Sequence, residues 1–291
     1  MEIANKTALV LGATRGIGRA IARALAHKGA RIVAPYFDWP ESCQETIIEL
    51  QKISPDHIFI KTDLRDGKQV ENLFKQIKIQ CGSLDILINN IERGGMPIVH
   101  GQYTDEQWEL EMNTTLKAKW HVFQHALPLL KKASEGVVVN FSSIAGVVGR
   151  SGPAGLIFND AYAAANRAVS SFNETWARQG APSVRVNELM LGFIEGRHGP
   201  GTRGWDLLSE ERQKAIEGQT LLQRTGKITE VLDAVLFLIQ DASFMTGARL
   251  TFDGGFLLGH DSVPEIPERR DNLEVQAAQD IQHNRPNSSG L

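Results

Sequence analysis

The sequence predicts an α/β protein: a single domain built on a doubly wound parallel sheet of about seven strands. Three observations carry this. Short runs rich in Val, Ile and Leu alternate with longer helical patterns along the whole chain. Those runs are apolar almost without interruption, the pattern of strands covered on both faces. No internal repeat or linker divides the 291 residues, 42% of them hydrophobic, which is ample material for one core.

In chain order, the strands are read at 7–11 (TALVL), 31–36 (RIVAPY), 57–61 (HIFIK), 85–89 (DILIN), 136–141 (GVVVNF), 183–189 (SVRVNEL) and 249–252 (RLTF). Helical patterns fill the intervals at about 17–28, 41–53, 67–80, 104–131, 160–179, 209–217 and 229–239. Two stretches break the rhythm. A connection at 192–208 carries Gly192, Gly196, Gly199, Pro200, Gly201 and Gly204, and is read as part of a lid at about 192–217. Residues 259–291 are polar and read as a C-terminal tail, either disordered or ordered against a partner subunit.

Composition excludes several classes. A formal charge of −3 gives no pull toward nucleic acid or an anionic membrane. Cys43 and Cys81 are too few for a disulfide framework or a metal cluster, and no metal site is expected. His121 and His125 stand four apart but lack a third ligand, so a helix face is the reading for them. The segment MEIANKTALVLG lacks the basic-then-apolar order of a signal peptide, and no apolar run has membrane-spanning length. A cytoplasmic protein is expected.

The first chemistry lies at LVLGATRGIGRAIARAL, where Gly12, Gly16 and Gly18 stand between a strand and a helix. Glycines let the backbone turn tightly and approach a pyrophosphate, and the helix N-terminus offers free N–H groups and the positive end of its dipole. Further on, DAYAAANRAVSSFN places Tyr162 in the first turn of a helix.

The spacing G-x-x-x-G-x-G, with TDL at 62–64, ILINN ending at Asn90, Asn113 in WELEMNTTLKA, VVVNFSSIAG, VRVNELMLGFIEG and MTGARLTFDGG, resembles the short-chain dehydrogenase/reductase family of the single-domain kind. The likeness spans about residues 5–258. It implies a Rossmann-type dinucleotide-binding oxidoreductase domain over 1–258 that interconverts a carbonyl and an alcohol on a small organic substrate. Ser143, Tyr162, Asn113 and Asn166 fall on catalytic positions. The dinucleotide would be held at Gly12, Thr14, Arg15, Gly16, Ile17 and Gly18, at Asp63 and Leu64 by the adenine, and at Asn90, Tyr162, Asn166 and Ile194. A homotetramer or dimer is implied, with helices 104–131 and 160–179 pairing between subunits. Cofactor choice is divided: Arg15 suits the 2′-phosphate of NADP(H), whereas Asp38 stands 20 residues after Gly18, near where an acid would favour NAD(H). The balance leans to NADP(H).

The chain also departs from the family. A tyrosine hydroxyl of pKa about 10 is a sluggish acid unless its anion is stabilised, and in the family a lysine four residues on does this. Here Tyr162-Ala-Ala-Ala-Asn166 supplies an uncharged amide. Arg167 points about 100° away round the helix, and a rescue by Arg197, His198 or Arg203 is not expected. Asn89-Asn90-Ile91-Glu92 puts bulk and charge where the family has small residues, Leu191-Gly192 replaces Pro-Gly, and GRSGPAGLIF adds a segment read as flexible between Ser143 and Tyr162. The expected function is therefore an NAD(P)(H)-dependent oxidoreductase with an atypical site, slow at neutral pH. The alternative is a catalytically impaired dinucleotide-binding sensor or scaffold.

Overall fold

The computed structural model describes residues 1–94, 96–259 and 261–266. Met1–His260 forms one compact unit and Asp261–Leu291 a second; residues 261–266 of the latter hold no helix or strand. Most of the predicted tail thus lies outside the described residues.

Seven parallel strands, β1 (Thr7–Val10), β2 (Arg31–Tyr36), β3 (Ile58–Lys61), β4 (Ile86–Asn89), β5 (Gly136–Ser143), β6 (Val184–Leu191) and β7 (Arg249–Phe252), make one sheet ordered β3-β2-β1-β4-β5-β6-β7. Strands β5 and β6 run two residues past their predicted ends, because pairing continues through Ser142↔Met190 and Ser143↔Leu191. The helices are α1 (Gly16–His27), α2 (Pro40–Ile53), α3 (Gly67–Cys81), α4 (Pro97–His100), α5 (Asp105–Glu111), α6 (Ala118–Leu130), α7 (Ala145–Val148), α8 (Asp160–Gly180), α9 (Arg203–Asp206), α10 (Glu210–Gln219) and α11 (Ile228–Gln240). The short α4, α7 and α9 escape sequence reading because one turn shows no period.

Side chains alternate across each strand, so the apolar runs of β1 to β6 feed two cores, while β7 feeds one through Leu250 and Phe252. Ala8, Val10, Ile32, Ile86, Ile88, Val137, Val139 and Leu189 meet α1 and α11 on one face. Leu9, Leu11, Val33, Leu87, Val138 and Val186 meet α3, α6 and Trp176 of α8 on the other. Trp176 is sandwiched in this second core, stacked on Phe123 at 4.2 Å and on Phe172 at 5.0 Å.

One expected helix is interrupted. The 104–131 pattern opens on a capping box formed by Thr104 and Gln107, runs through α5, widens into a π-turn at Met112–Lys117, and continues as α6. In the π-turn the Ala118 N–H donates to the Asn113 carbonyl, five residues back. This turn packs on α8, and such bulges recur at functional sites.

Two buried polar devices fasten the sheet. Arg185 of β6 donates to the carbonyls of Leu238, Ile239 and Ala242, capping the C-terminal end of α11. Replacing it as Arg185→Met removes the Arg185 donor from the Leu238 and Ala242 carbonyls and leaves the Ile239 carbonyl only the Met1 amine. A loss of about 2–4 kcal/mol is expected, read from the urea midpoint. The second device is a line of amides: Asn89 Nδ2 donates to Asn140 Oδ1 (3.1 Å), Asn140 Nδ2 to Asn173 Oδ1 (3.2 Å), and Asn173 Nδ2 to the Ala248 carbonyl (3.2 Å).

Candidate active site

Strand order reverses at β1, which lies between β2 and β4. In open α/β sheets this is where a crevice forms beyond the C-terminal strand ends. The segments leaving those ends converge there: the glycine turn after β1, Asn90–Glu92 after β4, Ser143 closing β5, and Gly192–His198 after β6.

The glycine turn is built as its residue types require. Gly12 sits at φ +69°, and a Cβ there would run into the Asn90 carbonyl. At Gly18 a Cβ would lie 2.8 Å from Asn90 Nδ2 as well as striking Gly12. Gly16 is different: at φ +48° the nearest atom to a Cβ would be the Gly196 carbonyl oxygen, 3.8 Å away. No side chain caps the first turn of α1, so its N–H groups face this open side.

Tyr162 is placed by a helix cap. The Asn159 carboxamide accepts from the Tyr162 N–H at 2.8 Å and starts α8. The inserted segment 149–158, expected to be flexible, instead carries a 3₁₀ turn at Gly152–Leu156, with Ala154, Ile157 and Phe158 buried. Docking decides this: Phe158 stacks on Phe193 at 5.3 Å and faces Tyr162 at 6.0 Å.

The Tyr162 hydroxyl is fully buried and surrounded by polar groups. It donates to Glu92 Oε2 at 2.8 Å, and His198 Nε2 lies 2.9 Å away. Arg197 Nη2 is 3.5 Å from the hydroxyl, 2.5 Å from Glu92 Oε2 and 3.2 Å from the Ser142 carbonyl oxygen. Residue spacing predicts neither Arg197 nor His198 at this hydroxyl; both nevertheless reach Tyr162, 35 and 36 residues on in the chain.

Burial, then Glu92, drives the Tyr162 pKa well above its ordinary value, while Arg197 and the Ser143 hydroxyl pull the other way. Burial opposes ionisation of Glu92, yet Arg197 first and Lys119 with it outweigh burial and hold the carboxyl below its usual range. Burial pushes His198 down to about 4, so its 3.7 Å approach to Glu92 is not an ion pair at neutral pH. Lys119, 1% exposed on α6, is pushed down to about 8 by burial against the pull of Glu92. Four side-chain atoms of this region are buried without a partner: Arg197 Nε and Nη1, His198 Nδ1 and Asn166 Oδ1.

The other expected site residues divide. Ser143 is beside Tyr162, its Oγ also accepting from the Ala145 N–H. Asn166 is buried, and its Nδ2 is spent on the Tyr162 carbonyl at 2.9 Å. Asn113 lies in the π-turn and makes no side-chain hydrogen bond to Tyr162 or Ser143 among the described residues. Asp63 is engaged by Arg65 through two hydrogen bonds, 2.7 and 2.8 Å. The Ile17, Leu64 and Ile194 side chains belong to the cores, which leaves their backbones for any ligand. The Thr14 carbonyl accepts from Thr46. Arg15 is exposed and stacks 4.0 Å over Trp39. His125 stacks on Phe74 of α3, and no group of metal-ligating side chains is found among the described residues. Sequence reading misses Lys119, and Glu188, which accepts from Ser142 and Ser170 and pairs with Arg249. An acid in the middle of an apolar strand is the available signal for Glu188.

The family model described as enoyl-(acyl carrier protein) reductase matches residues 12–257. The 3-oxoacyl-[acyl-carrier-protein] reductase FabG of Staphylococcus aureus (strain N315) is 31% identical over 258 residues, covering 87% of this chain and 99% of that protein. The chain belongs to the short-chain dehydrogenase/reductase family. Another relative, FabG of Escherichia coli (strain K12), is 29% identical over 262 residues, 89% of this chain and 100% of that one. The solved structure of a candidate short-chain alcohol dehydrogenase from Sinorhizobium meliloti 1021 superposes with a TM-score of 0.77 at 25% identity, over 88% of this chain and 98% of that one. Within this short-chain dehydrogenase/reductase, the position four residues after Tyr162 holds an amide, and the charges closest to the phenol come from Glu92 and Arg197.

Proposed function

We propose that this chain is an NAD(P)(H)-dependent oxidoreductase interconverting a carbonyl and an alcohol on a small organic substrate. The observation that carries this reading is the position of Tyr162: a protonated phenol beside Ser143, at the strand ends that also bear the glycine turn. The phenol is neutral at pH 7, as a proton donor to a carbonyl oxygen must be, although its raised pKa also makes it the weaker acid while Glu92 stays beside it. The same shift leaves little phenolate to act as a base at neutral pH, so alcohol oxidation is favoured at alkaline pH.

The residues fit a dinucleotide at its diphosphate end. The uncapped first turn of α1 and the open side of Gly16 form a cradle for an anion. Gly12, Thr14, Arg15, Gly16, Ile17 and Gly18 would hold that end, and Asn90, Tyr162, Asn166 and Ile194 the other. When bound, the dinucleotide supplies or takes the hydride. Arg15 over Trp39, and Arg65 over Phe37 at 5.5 Å, set two guanidinium groups just past β2, which supports the lean to NADP(H).

In reduction, the Tyr162 hydroxyl passes its proton to the substrate oxygen while the Ser143 hydroxyl polarises it. Asn113 supports the proton path from the π-turn, and Asn166 fixes the backbone that carries Tyr162. A homo-oligomer in the cytoplasm completes the reading. The sealed state of Tyr162 favours the second reading, a binding protein without turnover.

Titration with NADPH and NADH, followed by tryptophan fluorescence, tests the proposal, because Trp39 stacks on Arg15 and Trp205 lies buried in the lid region. Quenching by NADPH at lower concentration than NADH, with carbonyl-dependent NADPH oxidation, is the expected result. Quenching without turnover on any carbonyl leaves the binding protein, and no response to either dinucleotide removes both readings.

A further inference from the structure

We propose that Arg197, carried in by the segment after β6, is the cation that sets the acidity of Tyr162, and that Glu92 is its removable counter-ion. The proposal rests on the reading of Tyr162 as the proton donor.

Glu92 Oε2 is shared. It accepts from the phenol at 2.8 Å and from Arg197 Nη2 at 2.5 Å. An acceptor at that distance from a proton donor holds the place of the oxygen that the donor protonates. Whatever oxygen takes that place must displace the carboxylate. Once Glu92 leaves, Tyr162 loses the negative charge that opposes its ionisation and keeps a guanidinium 3.5 Å away.

Arg197 does not depend on Glu92 for its position. Its backbone exchanges hydrogen bonds with Ile194 at 2.8 and 3.1 Å, and its Nη2 also donates to the Ser142 carbonyl. The neighbouring His198 is seated because position 94 is glycine: a Cβ there would come within 3.0 Å of the imidazole. Nor is the guanidinium satisfied in the closed arrangement. Nε and Nη1 are buried and unpartnered, which leaves their desolvation uncompensated. A pair serving stability alone would match those donors.

The groups around the phenol come from every neighbouring element: Glu92 after β4, Ser143 at the end of β5, Arg197 and His198 after β6, and Lys119 on α6 acting on Glu92. His198 is neutral, which leaves Arg197 and Lys119 as the two cations to be told apart. The Arg197 guanidinium is the one within reach of the hydroxyl.

The chain has three tyrosines, so tyrosine labelled with ¹³C at Cζ gives three resonances in the full-length protein, and Tyr162→Phe assigns the one of interest. In Glu92→Gln the Tyr162 titration is expected to fall by about 1–3 pH units relative to the unmodified chain, the effect of an unopposed neighbouring cation. In Glu92→Gln with Arg197→Gln that fall disappears; with Arg197→Lys part of it remains. An unmoved titration in Glu92→Gln overturns the proposal. So does a fall that persists in the double variant, which makes Lys119 the cation. Should Glu92→Gln not fold, the alkaline limb of alcohol oxidation reads the same point. Arg197→Gln must move it upward and Arg197→Lys must not; equal limbs overturn the proposal. A Tyr162 that titrates as expected in a protein without turnover removes the oxidoreductase reading and leaves only the electrostatic coupling of Arg197 and Glu92 to the phenol.

Discussion

Tyr162→Phe is expected to lower the rate of carbonyl reduction by about 10²–10⁴-fold, the usual worth of a positioned general acid. Dinucleotide binding should persist, because the glycine turn and α1 are untouched. The fold should persist as well: the ring keeps its packing against Phe158, and only the hydroxyl, with its bonds to Glu92 and His198, is removed. A stability change of about 1–3 kcal/mol is the most that this loss should bring. The comparison is made by steady-state kinetics under saturating dinucleotide, with circular dichroism as the check on folding. Undiminished turnover would assign the proton to another group and reduce Tyr162 to a packed aromatic.

Gly12→Ala is the second large effect, and it strikes binding rather than chemistry. At φ +69° an alanine is strained by about 1–2 kcal/mol. Its methyl also points at the Asn90 carbonyl, and relieving that overlap costs about 1–3 kcal/mol more. The turn must shift, and with it the first N–H groups of α1. Loss of measurable NADPH binding with a melting point several degrees lower is expected. Gly82→Ala, outside the glycine turn, is the matched control: it carries the strain of φ +75° but a Cβ there meets nothing within 4 Å. Equal loss in both variants would trace the effect to backbone strain alone.

The architecture is legible in the sequence because its signals repeat. Six apolar runs, each alternating between two cores, and a seventh packed on one of them, fix the sheet whichever residue is taken as the strand end. The site is legible only where one position carries the chemistry by itself, as at Gly12, Ser143 and Tyr162. Glu92 stands out as a charge among small residues, but its partner does not. The Arg197–Glu92 contact joins residues 105 apart, from two connections without period or propensity. Lys119 sits on a helix that reads as an ordinary amphipathic run, and its burial follows from the π-turn just before it, which 3.6-residue spacing cannot reveal. The inserted segment misleads for a related reason: its glycines and proline suggest mobility, whereas Ile157 and Phe158, at its end, provide the anchor.

The line of amides from Asn89 to Ala248 has a direction. A main-chain carbonyl can only accept, so at Ala248 it obliges Asn173 to present its NH₂, and each amide upstream must then face the same way. The dipoles therefore run head to tail through the protein's interior, and the series terminates in the buried, unmatched oxygen of Asn89. That oxygen is an electron-rich pole set by a residue at the far edge of the sheet. The polarity at the C-terminal end of β4 is thus decided some 160 residues away along the chain, by the orientation of a single peptide group.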